Sequence, residues 1–140
     1  MPSYTWPPNR PAIIVGHSEH RKLTKIAEAH LSKNAVVSDE LLYELERAHV
    51  VDDHRLPRGI IRLGSTVRFT SDLGEDRTVT LVLPGEANIA EGKISILTPI
   101  GTALIGLRAG QSIDWTARDG QLRRLTVEWV SEAAELGQML

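Results

Sequence analysis

The segment Ile94–Asp114, ISILTPIGTALIGLRAGQSID, leaves this chain few ways to fold. An apolar run meets Thr98-Pro99, and proline interrupts any regular element that needs its N–H. Proline is tolerated in the first turn of a helix, where that N–H has no partner anyway. Thr98 then reads as the cap of a helix that begins at Pro99. The pattern predicts a strand, a short helix from Pro99 to about Leu107, a turn at Gly110 and a second strand. Gly101 and Gly106 do not make a phosphate loop, because the segment is apolar and no Lys-Ser or Lys-Thr follows Gly106. They predict close packing of a helix on a sheet.

Upstream the hydrophobic period is helical. Leu23, Ile26, Ala27, His30 and Leu31 form one stripe, and Leu41, Leu42, Leu45 and Ala48 form another. Ser18 and Ser38 read as N-caps, with Glu19 and the pair Asp39-Glu40 in the first turns that follow. Ser32-Lys33-Asn34 breaks the pattern between them. The two arms are roughly 13–15 residues each, about 20 Å long, and helices that short need a partner. Residues 12–50 are therefore expected to form an antiparallel helical hairpin, a short coiled coil. Its tip region comprises Lys33, Asn34, Ser38, Asp39 and Glu40. Ala12 to Val15 is a short strand or packed extended run. Residues 1–11 hold four of the chain's seven prolines and read as an extended arm.

Residues 51–62 are a polar linker marked by Pro57 and Gly59. Beyond it the period falls to two. Val67 and Phe69 alternate with polar neighbours, as do Val79, Leu81 and Leu83, then Ile113 and Trp115, then Leu125, Val127 and Trp129. Half-buried antiparallel strands have this signature, and Asp119-Gly120 supplies a hairpin turn. Alternation puts Trp115 and Trp129 on the apolar face, in the core, and Arg68 and Arg124 on the exposed one. Residues 63–130 thus form a small antiparallel sheet carrying one short helix, with a tail at 131–140. The fold class is α+β.

Bulk properties exclude several functions. The net charge is −2 with balanced signs, so the chain lacks the basic excess of a general nucleic-acid binder. It has no cysteine, which removes disulfides and thiolate zinc sites. No apolar run reaches the ~20 residues that span a bilayer, and the N-terminus lacks the order of a signal peptide. The reading is a cytoplasmic protein. His17 and His20 share a helix face without further ligands in view, so no metal site is expected.

The residues Ile94-Ser95-Ile96-Leu97-Thr98-Pro99-Ile100-Gly101, then Ala103-Leu104-Ile105-Gly106-Leu107 and Gly110, resemble the signature of the regulator of nucleoside diphosphate kinase (Rnk) family, relatives of the Gre transcript-cleavage factors. Asp39-Glu40-Leu41 with Glu44-Leu45-Glu46-Arg47-Ala48 is similar to the second hairpin helix of Rnk-type proteins, and Leu63-Gly64-Ser65-Thr66-Val67 to the entry of the C-terminal domain. The resemblance implies an FKBP-like C-terminal domain that docks near the secondary channel of RNA polymerase, with Ser95, Thr98, Pro99, Ile100 and Gly101 as the partner-binding residues.

The resemblance also implies a hairpin over that channel. Gre factors carry acids at a long hairpin's tip that help hold a catalytic magnesium ion, whereas here the hairpin is short and its turn lacks a carboxylate. The expectation is a non-enzymatic, monomeric polymerase-binding regulator, without cofactor, metal, catalytic residue or sequence-specific DNA contact. The family name adds an effect on nucleoside diphosphate kinase levels. The alternatives are a transcript-cleavage factor and, because the implied fold is FKBP-like, a prolyl isomerase. The latter wants an aromatic-lined pocket, and only Phe69, Trp115 and Trp129 lie in the sheet domain.

Overall fold

The computed structural model describes residues 11–116 and 119–132. Trp6, the first ten residues of the proline-rich arm and residues 133–140 of the tail lie outside them. The elements are β1 (Ile14–Gly16), α1 (His17–Ala29), α2 (Ala35–Arg47), β2 (His49–Val51), β3 (Thr66–Ser71), β4 (Asp76–Val82), β5 (Lys93–Ser95), α3 (Pro99–Leu104), β6 (Ser112–Thr116) and β7 (Leu122–Ser131). The α+β class is as read from the sequence: a helical hairpin, then a five-stranded sheet in the order β5-β4-β3-β7-β6. All its pairings are antiparallel except β4 with β5.

The hairpin forms where the apolar stripes predict it. Leu23 and Ala27 of α1 and Leu41 and Leu45 of α2 are buried, and Ile26 and Leu42 pack beside them. Each helix has 13 residues, so each arm is about 20 Å long. The caps differ from the reading. Gly16, not Ser18, is the N-cap of α1. Ser18 lies inside the helix, where its backbone N–H donates to Asp53 Oδ1 at 2.9 Å and its hydroxyl donates to Asp53 Oδ2. The capping acceptor thus comes from 35 residues away. Nor is Ser38 a cap: α2 already starts at Ala35, behind Asn34, so the turn needs fewer residues than Ser32–Ser38. Ser38 is fully buried on the inner face, in step with Leu41 and Leu45. Asp39 and Glu40 consequently sit in the second turn of α2, and its first turn holds no acid.

Two short strands tie the hairpin's ends together. β1 and β2 pair in parallel, with Ile14 opposite His49 and Gly16 opposite Val51. The Ile14 N–H donates to Gly106 O (3.2 Å), and Ile61 exchanges hydrogen bonds with the 106–107 backbone (2.8 and 2.9 Å). Much of the linker is therefore held in place, and Ile60 and Ile61 are buried. One core joins both parts: the hairpin residues meet Val67, Phe69, Val79, Leu81, Ile113, Leu125 and Val127 of the sheet and Leu104 of α3. Each large side chain so buried contributes about 1.5–3 kcal/mol.

Trp129 is the misplaced aromatic. Arg68 pairs with Trp129, but Phe69 pairs with Val127, so Glu128 is an extra residue in β7. Such a bulge shifts the alternation by one. Leu125 and Val127 face the core, Val130 packs against it, and Trp129 turns to the other face, 38% exposed. That outer face carries Arg68 and Arg124, as alternation requires. Arg68 makes a two-bond pair with Asp76 (3.0 and 2.8 Å), and Arg124 meets Asp114 at 3.3 Å.

Candidate docking groove

The loop from β5 into α3 is built by local hydrogen bonds. Ser95 Oγ accepts the Leu97 N–H at 2.9 Å. The Thr98 hydroxyl donates to Ser95 O at 2.7 Å and accepts the Gly101 N–H at 3.1 Å. The Thr102 hydroxyl donates to Ile96 O at 3.1 Å. Thr98 is thus the cap predicted, with Pro99 in the first turn. The helix ends sooner than expected, at Leu104, because Gly106 turns the chain at φ +79° and lies against Ile13. A Cβ there would come within 2.6 Å of Ile13 Cβ.

This loop forms one wall of a groove of about 510 Å³. Ser95, Thr98, Pro99 and Ile100 line it together with Ile94, Ala87, Ile89 and Trp115, and Arg77, Lys93, Asp119 and Arg123 supply the charges. The groove joins an apolar wall to charged groups. Its charges are fixed in place: Arg123 bonds Glu75 (3.1 Å) and Asp119 (3.0 Å), and Lys93 pairs with Glu91 (3.1 Å). The Gln121 N–H, with help from Arg123, holds the Asp119 carboxyl below its ordinary range. Arg77 lies over the Phe69 ring, 5.9 Å from its centroid.

Of the residues singled out from the sequence, Ser95, Thr98, Pro99 and Ile100 come together on the groove. Gly101 is buried behind the loop and sets how closely α3 approaches β5. Lys33 and Asn34 lie exposed at the hairpin turn, and Asp39 is exposed one turn into α2. Ser38 is interior, and neither it nor Glu40 lines the groove. Among the described residues no group of three or more His, Cys, Asp or Glu is placed to hold a metal ion. Sequence reasoning missed Trp115 as a wall residue, placing it wholly in the core. It is half-buried, packing on the core with one side and lining the groove with the other. Ile89 was also missed: it is 84% exposed in the short helical turn Ile89–Glu91, and a single isoleucine among small and polar residues gives no sequence signal.

Thr98 lends itself to a direct check. Thr98→Ala removes the cap and the bond to Ser95 O, and is expected to cost about 1 kcal/mol in urea denaturation, with Thr98→Ser retaining most of it. Equal stability of the Ala and Ser variants would refute the capping role.

Residues 56–132 match the family model described as transcription elongation factor GreA/GreB, C-terminal. The chain is 33% identical over 131 residues to the regulator of nucleoside diphosphate kinase of Escherichia coli (strain K12), covering 90% of this chain and 96% of that protein. It is 37% identical over 131 residues to transcription elongation factor GreA of Agrobacterium fabrum, covering 86% and 83%. Among solved structures, a prokaryotic transcription elongation factor GreA/GreB from Nitrosomonas europaea superposes with a TM-score of 0.67 at 36% identity, over 85% of this chain and 98% of that one. No helix among the described residues is long and apolar enough to cross a membrane.

Proposed function

The chain belongs to the GreA/GreB family of transcription factors and to its branch of nucleoside diphosphate kinase regulators, and from that premise we propose that it is a monomeric, non-enzymatic regulator that docks on RNA polymerase near the secondary channel. The observation that carries this reading is the Thr98 loop opening onto an apolar groove with charged residues among its lining. Docking there needs a few buried anchors and no large net charge, which suits a chain of net charge −2. Residues 63–130 serve as the docking domain and residues 12–50 as the part that occupies the channel. An effect on nucleoside diphosphate kinase levels follows through transcription.

Cleavage is the second reading, and the hairpin argues against it. The turn between α1 and α2 runs through Leu31, Ser32, Lys33 and Asn34 and has no carboxylate. Asp39 and Glu40 lie on α2, beyond its first turn. A magnesium ion prefers converging carboxylates with near-octahedral geometry. Prolyl isomerisation is weaker still, since among the described residues Trp115 is the one aromatic on the groove.

Pull-down with core RNA polymerase at low salt, with and without a competing Gre factor, tests the proposal. The expected result is binding that the competitor displaces, and no shortening of RNA in a backtracked elongation complex. The double variant Asp39→Asn, Glu40→Gln should bind as the parent does. A folded sample that fails to bind polymerase would remove the leading reading, and RNA cleavage lost in the double variant would establish the second.

A further inference from the structure

Three carboxylates fasten the connector between hairpin and sheet by accepting backbone N–H groups. Asp53 takes that of Ser18 at 2.9 Å, Glu19 takes that of Leu63 at 3.2 Å, and Glu132 takes that of Gly59 at 3.0 Å. Glu19 differs from Asp53 in being mostly buried. It lies in the first turn of α1, at the edge of an open surface pocket of about 350 Å³ bordered also by Gly16, Ser18, Lys22, Asp53 and Arg62. An ionised carboxylate in such a place forfeits hydration, and one hydrogen bond replaces little of it. We propose that Glu19 makes this junction proton-sensitive: protonated, it keeps the first turn of α1 closed on Leu63, and ionised, it draws the turn open to complete its hydration.

The groups facing Glu19 oppose one another. Burial favours the neutral acid most strongly, and Asp53 adds to it. The Leu63 N–H, Arg62 and Lys22 favour the anion. Burial prevails and pushes the Glu19 carboxyl up to about 7, from an ordinary 4.5. The surrounding charges are themselves engaged. Asp53 is held below its usual range by Ser18, with His17 and His54 nearby, and Arg62 meets Glu132 at 3.5 Å. The closed junction therefore binds the proton more tightly than the open one. Opening should increase as pH rises from about 4.5 to about 7, by roughly tenfold per unit at most, and then level off. Because one shared core anchors Leu23 and Ala27, the opening is local to the first turn.

The test is amide hydrogen exchange at Leu63, followed by NMR and corrected for the intrinsic rate. In the parent chain the open fraction should rise about tenfold or more between pH 5.5 and 7, with a plateau above about 7.5. Glu19→Gln keeps an acceptor for the Leu63 N–H but cannot ionise, so its profile should be flat. A double variant His17→Asn, His54→Asn should keep the parent's slope. A flat profile in the parent, or an equal slope in Glu19→Gln, overturns the proposal. Should Glu19→Gln fail to fold, the ¹³C titration of the Glu19 carboxyl decides: a midpoint near neutrality supports the latch, and one near 4.5 excludes it.

Discussion

Gly101→Ala should lower stability by about 3 kcal/mol, although alanine is the better helix former by about 1 kcal/mol. The sign is set by space. A Cβ on residue 101 would lie 2.5 Å from Ser95 O, 3.0 Å from Ile96 Cα and 3.0 Å from Thr98 Oγ1. The two nearest are backbone atoms, and they are held. Ile96 N–H donates to Val82 O at 2.9 Å, which fixes β5 against β4, while Ser95 O accepts the Thr98 hydroxyl. Relief requires α3 to lift off the strand, breaking the Thr98 cap and the Thr102–Ile96 bond. Overpacking of about 1–3 kcal/mol, a lost cap of about 1 and a lost hydrogen bond of about 1, less the ~1 that alanine returns, leave about 2–4 kcal/mol, centred on the figure. For a chain of this length that is a fall of roughly 10 °C in Tm. Thermal denaturation of the variant checks it, and an unchanged or higher Tm would show that the loop yields and that the close approach is not required.

What the sequence disclosed follows from the range of the interactions involved. Thr98, Pro99 and Gly101 obey rules spanning three residues, so their arrangement could be read directly. The apolar stripes of α1 and α2 and the alternation of β3 and β4 are equally local. Ser18 and Ser38 obey the same local capping rule and yet do not cap. For Ser18 the acceptor is supplied by Asp53, across the chain fold, and for Ser38 the α2 helix begins earlier and burial takes the residue inward. Trp129 was misplaced because a bulge is a property of two paired strands, and β7 alone gives no sign of it. The parallel pairing of β5 with β4 is hidden for the same reason. Within the groove, the loop was legible and the opposite wall was not. Trp115 alternates like a core residue, and only the position of the groove exposes its outer side.

These distinctions separate what holds the groove together from what it presents. Gly101, Gly106 and Thr102 are buried and serve the loop's shape. Pro99, Ile100, Ile89 and Trp115 face the groove and are available to a partner. A variant at one of the first group that loses polymerase binding would say little, since unfolding accounts for it. A variant at one of the second is informative provided the fold survives.

Ile100→Asp meets that condition and is expected to weaken binding to core RNA polymerase by about a hundredfold, some 2.7 kcal/mol. Ile100 is half-buried, lining the groove while resting against the core. It is the second residue of α3, following the Thr98 cap and Pro99. A carboxylate in a helix's first turn is favourable by a few tenths of a kcal/mol, and the partial exposure leaves it hydrated in the free protein. Folding should therefore be largely preserved. In a complex the same carboxylate would lose its water, and the groove's Lys93 and Arg123 are already paired with Glu91, Glu75 and Asp119, so the desolvation cost falls on binding. Trp115→Ala should weaken binding in the same direction through lost contact area. Titration of labelled protein against core polymerase measures both, with circular dichroism confirming the fold. If Ile100→Asp folds and binds polymerase as tightly as the parent, the Thr98–Trp115 groove is not the docking surface, and the hairpin would then have to supply the contact.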